Sequence, residues 1–284
     1  MQTHLPTLVI AASGKTGRRV ADRLEALGRP VRRGSRSGPT RFDWDVPSTW
    51  APALAGVGAA YVVYSPDLSV PAAPGAIEAF VAVARDAGVR RLVLLSGRGE
   101  PAAQRCERIV LDSGVPATVV RASWFAQNFD EGAFRELVRA GEVALPVDAV
   151  REPFVDLEDV AEVAVAALTA DAHDGRHDGA VYEVTGPRSM TFAEAVAEIA
   201  AASGRAVRFR GISRAAFVDG LTRAGLPADQ VELLDELFST VLDGRNASTA
   251  DGVERALGRA ARDFRDYARA AAATGAWNAA PQGV

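Results

Sequence analysis

The chain has 284 residues, 48% of them apolar, and a net charge of −4 from 32 basic and 36 acidic side chains. That length suits one large α/β domain, or a main domain with a smaller annex; the charge balance gives no sign of the basic face a nucleic-acid binder needs. The single cysteine, Cys106, excludes an internal disulfide. With no basic n-region and no apolar run near about 18 residues, neither a signal peptide nor a membrane span is expected, and the cytoplasm is the expected location.

Across the first half, short β-branched runs alternate with amphipathic segments, the rhythm of a parallel sheet. Thr7–Ala12 predicts a buried strand. Thr16–Leu27 predicts a helix with Val20, Leu24 and Leu27 on one face and Gly28 as its stop. Val31–Ser35, Ala59–Ser65, Leu92–Ser96 and Ala117–Arg121 predict four more strands. Ala76–Ala87 and Gln104–Asp112 predict helices between them. This order specifies a doubly wound, Rossmann-type parallel sheet with right-handed crossovers, and ligands beyond the carboxyl ends of its strands.

Past about residue 150 the rhythm loosens. Asp156–Leu168 predicts a helix and Val181–Thr185 a strand. Thr191-Phe-Ala-Glu194 is a capping box opening a helix to Ala202. Val207–Ile212 reads as a short strand. From Ser213 only helices are expected, broken at Gly225-Leu-Pro227. The expected division is residues 1–155 for the sheet domain and 156–284 for a smaller, mainly helical substrate-side domain, with strand 181–185 a candidate to rejoin the main sheet. Residues 279–284 are expected to fray.

Between the first strand and its helix lies Ala11-Ala12-Ser13-Gly14-Lys15-Thr16-Gly17. A helix N-terminus in that place offers unpaired N–H groups and partial positive charge to an anion. Gly14 lets backbone approach a pyrophosphate, and Gly17 lets helix pack on strand. Ser13, Lys15 and Thr16 add donors. Position 11 departs from the usual glycine; alanine costs about 1–2 kcal/mol there only if φ is positive. The alternative is a tight turn without a ligand.

An acidic residue about 20 positions past the loop marks an NAD-binding chain. Arg32, Arg33, Ser35 and Arg36 stand there instead. A guanidinium suits a 2′-phosphate, so NADP(H) is the expected cofactor and Arg36, just past the strand, the best candidate. A solvated basic edge is the alternative.

AASGKTG, SRS, RFDWDVPSTWAPALAGV, GVRRLVLLSG, SGVPATVVRASWFAQNF and EPFVDLEDVAEVA, in this order and spacing from Thr7 to about Trp277, resemble the NmrA-like family of atypical short-chain dehydrogenases/reductases. The nearest branch is that of the festuclavine-dehydrogenase-type ergot alkaloid reductases. The resemblance implies a Rossmann-type domain holding NADP(H) and a pocket beside the C-terminal part. By position, Ser13 to Gly17 would hold the pyrophosphate and Arg36 the 2′-phosphate. Asp43 and Trp44 would lie near the adenine. Tyr64, Ser65 and Pro66, with Ser96 and Gly97, would line the ribose and nicotinamide side. Trp124, Phe125 and Asn128, with Phe154, would face the substrate. Family members include quinone and imine reductases, and also sensors without chemistry.

Ordinary short-chain dehydrogenases pair a tyrosine with a lysine four residues on, lowering the phenol pKa. Here the only lysine, Lys15, precedes all four tyrosines, so no such pair exists and the catalytic group stays unknown. Either the acceptor is a preformed iminium or electron-poor quinone, or nothing is reduced.

Other candidates have ordinary explanations. Helix capping explains Asp156, with a substrate contact by Asp156 or Asp159 as the alternative. Phe129, like its aromatic neighbours, is pocket or core. Arg121 can pair with a carboxylate. Cys106 reads as a buried small hydrophobe. His173 and His177, in a segment read as a polar surface loop, do not make a metal site.

The expected function is therefore an NADPH-dependent reductase of a small aromatic, quinone-like or imine-type molecule, of the kind found in secondary metabolism. Alternatives are an NADP(H)-sensing regulator and a cofactor-free isomerase, dehydratase or cyclase. The expected partner is a small molecule, with no nucleic acid, membrane or metal, and the protein is expected as a monomer or homodimer.

Overall fold

The computed structural model describes residues 5–171 and 175–278; His4, His173 and the 279–284 tail lie outside the described residues. In chain order the strands are β1 (Thr7–Ile10), β2 (Val31–Ser35), β3 (Thr40–Arg41), β4 (Ala59–Val62), β5 (Leu92–Gly97), β6 (Ala117–Ala122), β7 (Glu142–Leu145), β8 (Arg151–Glu152), β9 (Val181–Val184), β10 (Met190–Thr191) and β11 (Arg208–Gly211). The helices are α1 (Lys15–Ala26), α2 (Trp50–Leu54), α3 (Ala73–Asp86), α4 (Pro101–Leu111), α5 (Arg135–Ala140), α6 (Leu157–Thr169), α7 (Phe192–Ser203), α8 (Arg214–Arg223), α9 (Ala228–Glu236), α10 (Gly252–Leu257) and α11 (Phe264–Ala273).

Two compact units form, and they interleave along the chain. The first comprises Met1–Ala122, Leu157–Val184 and Asp251–Ala260; the second comprises Ser123–Asp156, Thr185–Ala250 and Ala261–Val284. This differs from a single cut at residue 155. The reason is pairing: β9 adds to the main sheet beside β6, with Val119 opposite Val181. Gly252 at the start of α10 then packs on β9, where a Cβ would lie 2.1 Å from the Glu183 carbonyl oxygen.

The first unit is a seven-stranded parallel sheet in the order β3-β2-β1-β4-β5-β6-β9. Both faces are covered, so its strands are nearly continuous apolar runs; Leu8, Val9 and Ile10 are almost fully buried. The order reverses at β1, whose Thr7 pairs with Val31 on one side and Ala59 on the other. Ligand crevices in such sheets open at that reversal. The helices bury the faces their spacing predicts: Val20 and Leu24 on α1, Ile77, Phe80 and Ala84 on α3, Cys106 and Val110 on α4. Helix α4 begins at Pro101, earlier than its apolar spacing alone predicts.

His177 departs from expectation. It is 1% exposed, with its Nδ1 2.9 Å from the Tyr182 hydroxyl and its carbonyl accepting from Thr118 Oγ1. The residues from His177 on lead into β9 along β6, with the Gly179 N–H donating to the Ala117 carbonyl at 2.7 Å, and the ring is covered there.

The second unit joins helices to two two-stranded sheets, β7–β11 parallel and β8–β10 antiparallel. Its core is aromatic: Phe129, Phe134, Phe154, Phe192, Phe238 and Phe264 are all buried. The Trp277 indole N–H closes this core by donating to the Phe129 carbonyl at 2.7 Å. The capping box is realised. Glu194 N–H donates to Thr191 Oγ1 at 3.1 Å, and Thr191 N–H donates to Glu194 Oε2 at 2.7 Å. Gly225-Leu-Pro227 separates α8 from α9 as expected. Among the described residues, no helix is long and apolar enough to cross a membrane.

A charged chain fastens α4 to the sheet. Arg121 donates to Glu107 at 2.9 Å and to Glu183 at 2.7 Å, and Arg98 donates to Glu183 at 3.0 Å. Glu107 is 2% exposed. Removing one partner of a buried pair strands the other charge, at about 3–5 kcal/mol. Arg121→Leu is therefore expected to lower unfolding free energy by about 3 kcal/mol, read by denaturant titration, with a smaller loss for Arg98→Leu beside the half-exposed end.

Candidate functional site

The loop after β1 turns within one residue. Ala11 has φ of +53°, so the strained alternative for this alanine is the one realised. Gly14 N–H donates to the Ala11 carbonyl at 2.8 Å, and the chain enters α1 at once. Gly17 is obligatory here, because a Cβ would lie 2.2 Å from that same carbonyl oxygen. The first turn of α1 carries no side-chain cap and no acidic residue. Its N–H groups are thus presented to an anion at the sheet's reversal point, and the loop fits a diphosphate. Ser13 is exposed in the turn. Thr16 is different. It is 6% exposed, so its side chain is turned away from solvent.

At the end of β2 the arginines separate. Arg32 donates to the Ala53 and Ala55 carbonyls at 2.8 and 2.6 Å. Arg33 is engaged by Glu25 at 2.9 Å and by Asp22 at 2.5 Å. Arg36 is exposed in the bend past the strand and has no ion pair among the described residues. A basic edge of three solvated guanidiniums is not what forms; two are consumed by the fold and one remains.

Asp43 and Trp44 follow β3. Asp43 Oδ1 accepts from the Asp45 N–H at 3.2 Å, a local turn. The Trp44 indole donates to the Val63 carbonyl at 2.9 Å, and its ring meets Phe42, Trp50, Tyr64 and Phe80. Trp44 therefore anchors this corner and presents only part of its ring. Tyr64 and Ser65 follow β4; burial, with the nearby Asp45, pushes the Tyr64 phenol up.

Ser96 and Gly97 end β5. Ser96 is buried and donates to Glu107 Oε1 at 2.6 Å. At Gly97 the backbone is bare for a reason sequence reading missed: a Cβ would lie 2.1 Å from Glu100 Oε1. Glu100 is 9% exposed, with the charge of Asp67 bearing on its carboxyl. Burial first, then the Asp67 charge, push it up to about 8. The residue stands at the N-cap of α4. An acid directly before Pro101 was the only available signal, since Pro favours the first helical position.

In the second unit, Trp124 is half-buried and rings with Phe238 at 5.2 Å, Phe192 at 5.9 Å and Phe134 at 6.4 Å. Phe125 and Asn128 are likewise half-buried. Phe154 is 2% exposed and enclosed by Phe129, Phe192 and Phe264, so it is core and not an open wall. Phe129 is core as well.

The remaining candidates fall to structure. Asp156 accepts from the Gln127 amide at 2.7 Å, and the buried Asp159 accepts from Arg259 at 2.7 Å. The Cys106 thiol is buried and pushed up to about 11 by that burial, which leaves it inert. Among the described residues, no group of three or more His, Cys, Asp or Glu could hold a metal.

No family model matches the chain. It is 34% identical over 280 residues to the (4-alkanoyl-5-oxo-2,5-dihydrofuran-3-yl)methyl phosphate reductase of Streptomyces griseus subsp. griseus, covering 92% of this chain and 95% of that one. It is 29% identical over 294 residues to an agroclavine dehydrogenase of Claviceps fusiformis, covering 92% and 95%. The crystal structure of Citrobacter sp. triphenylmethane reductase complexed with NADP(H) has the same fold, with a TM-score of 0.73 at 18% identity over 95% of this chain and 100% of that one.

Two outcomes follow from this geometry. Ala11→Gly relieves the positive φ and should raise unfolding free energy by about 0.5–1 kcal/mol after the added unfolded-state entropy; Ala11→Val should lower it, both by denaturant titration. Glu100 binds its proton more tightly folded than unfolded, so its contribution is full below pH 4.5 and lost as pH rises to about 8. Glu100→Gln should therefore gain stability relative to the parent between pH 5 and pH 9, read as the difference in melting temperature.

Proposed function

The chain belongs to the NmrA-like family of atypical short-chain dehydrogenases/reductases, and from that premise we infer that it is an NADPH-dependent reductase of a small quinone-like, imine or iminium-type molecule. The observation that carries this reading is the uncapped first turn of α1, opening at the sheet's reversal point, with Arg36 past the end of β2 making no ion pair among the described residues. Two relatives named as a reductase and a dehydrogenase support redox chemistry.

In this reading the backbone N–H groups of Ser13 to Gly17 bind the diphosphate, with Lys15 adding charge. Arg36 takes the 2′-phosphate through paired charge-assisted hydrogen bonds. Asp43 and the exposed part of Trp44 border the adenine. Tyr64, Ser65, Ser96 and Gly97 line the ribose and nicotinamide side. When bound, the cofactor supplies hydride. The missing tyrosine–lysine pair means that any proton a neutral acceptor needs must come from another group.

Binding and turnover are separate tests. NADPH should bind more tightly than NADH in a calorimetric titration. Arg36→Glu should weaken NADPH by about 10–100-fold, the value of a charge-assisted bond, while NADH changes only a few-fold. NADPH should then be consumed with quinones or cyclic imines. Tight binding with no turnover on either class would favour a sensor, and absence of binding would favour cofactor-free chemistry.

A further inference from the structure

The carboxyl end of β5 carries an acid that the reading above does not use. Glu100 seats its carboxyl on the bare α-carbon of Gly97. The charge of Asp67, in the loop after β4, bears on it. Asp67 is itself fixed, its Oδ1 accepting from the Ser69 N–H at 2.7 Å. The acid thus stands against Gly97, in one of the stretches assigned to the nicotinamide side, with Asp67, two residues past Ser65, bearing on it.

We propose that Glu100 is the proton donor of this reductase, giving its carboxyl proton to the nitrogen of a neutral imine as the neighbouring carbon takes up hydride. The proposal rests on the reductase reading. For a neutral imine the balance is simple. The C=N π bond breaks; carbon gains the hydride supplied by the reduced nicotinamide, which is oxidised by two electrons; nitrogen gains the Glu100 proton. Glu100 is left as a carboxylate and recovers its proton from water. A preformed N-alkyl iminium cation needs no proton, since hydride alone gives the neutral amine.

Ser96 and the tyrosines Tyr267, Tyr61 and Tyr64 are committed or too weak. Ser96 donates to Glu107. The Tyr267 hydroxyl is held by Asp130 at 2.7 Å. Tyr61 is fully buried and its phenol pushed up by that burial; the Tyr64 phenol is also raised. General acids work best when their pKa lies near the working pH, and Glu100, raised to about 8, meets that condition. The charged groups bearing on it are Asp67 and Glu107, both acidic, so each favours the protonated form.

Two substrates and a spectroscopic readout separate this role from a structural one. With a weakly basic cyclic imine, Glu100→Gln should lower kcat by about 10²–10⁴-fold. With an N-alkyl iminium salt the same variant should stay within a few-fold, and its NADPH affinity should match the parent. In ligand-free protein, the infrared carbonyl band of a protonated carboxylic acid should be present at pH 7, fade as pH rises through about 8, and be absent from Glu100→Gln. Imine reduction by the parent should fall over that same pH interval. Asp67→Asn removes a charge that favours the proton, and should move both midpoints to lower pH. This second variant also serves if Glu100→Gln does not fold.

Equal slowing of both substrates, or an infrared band that survives in Glu100→Gln, overturns the proposal and leaves the reductase reading standing. If Asp67→Asn moves neither midpoint, the proposal fails as well. If the parent binds NADPH and reduces neither substrate, the reductase reading fails and takes the proposal with it.

Discussion

The contact between Gly17 and the Ala11 carbonyl governs the first unit. Helix α1 starts so soon after β1 that no side-chain atom fits between them; even a methyl group at position 17 would meet the oxygen at 2.2 Å. That closeness forces the turn at Ala11 into positive φ, and with it a strain that a glycine would not carry. It also directs the uncapped end of α1 outward beside the first strand, where the sheet order reverses. Strain at a site of this kind persists because the structure around it, here β1 in the middle of a seven-stranded sheet, over-determines the backbone.

Charge is distributed on a related principle. The chain is rich in arginine, yet most of its buried or half-buried guanidiniums are spent on the fold. Arg121 and Arg98 hold Glu107 and Glu183, Arg259 holds Asp159, and Arg188 bridges Asp263 and Glu198. Against that background, a guanidinium without an ion pair among the described residues at the end of β2 is informative in a way that its sequence position alone is not. The same contrast applies to acids. Most carboxylates near the sheet have an arginine partner, whereas Glu100 is set beside another acid, with the opposite effect on its proton.

The second unit rests on different physics. Its core is a ring-on-ring cluster built from short elements that are distant in sequence, and Trp277 locks it from near the end of the described chain. Trp124 lies at the edge of that cluster and Phe154 inside it, although both are aromatic residues flanking similar short segments. Burial on this scale is decided by which rings arrive from α7, α11 and the turn at Leu237–Val241, so local pattern could not separate the two.

Much was legible from the sequence because it is local. The apolar runs of β1, β4, β5 and β6, the 3.6-residue spacing on α1, α3 and α4, the capping box at Thr191 and the glycine loop each depend on neighbours within a few residues, where sterics and hydrogen bonding leave few choices. The family resemblance followed from the same segments in order. Tertiary structure alone decided the rest. It returned β9 to the sheet, buried His177, used Arg32 and Arg33 internally, turned Thr16 inward, and set Glu100 on Gly97 beside Asp67. Each of these depends on a partner brought from elsewhere in the chain. Partner identity fixes burial and charge, and neither is encoded in the spacing of a single segment.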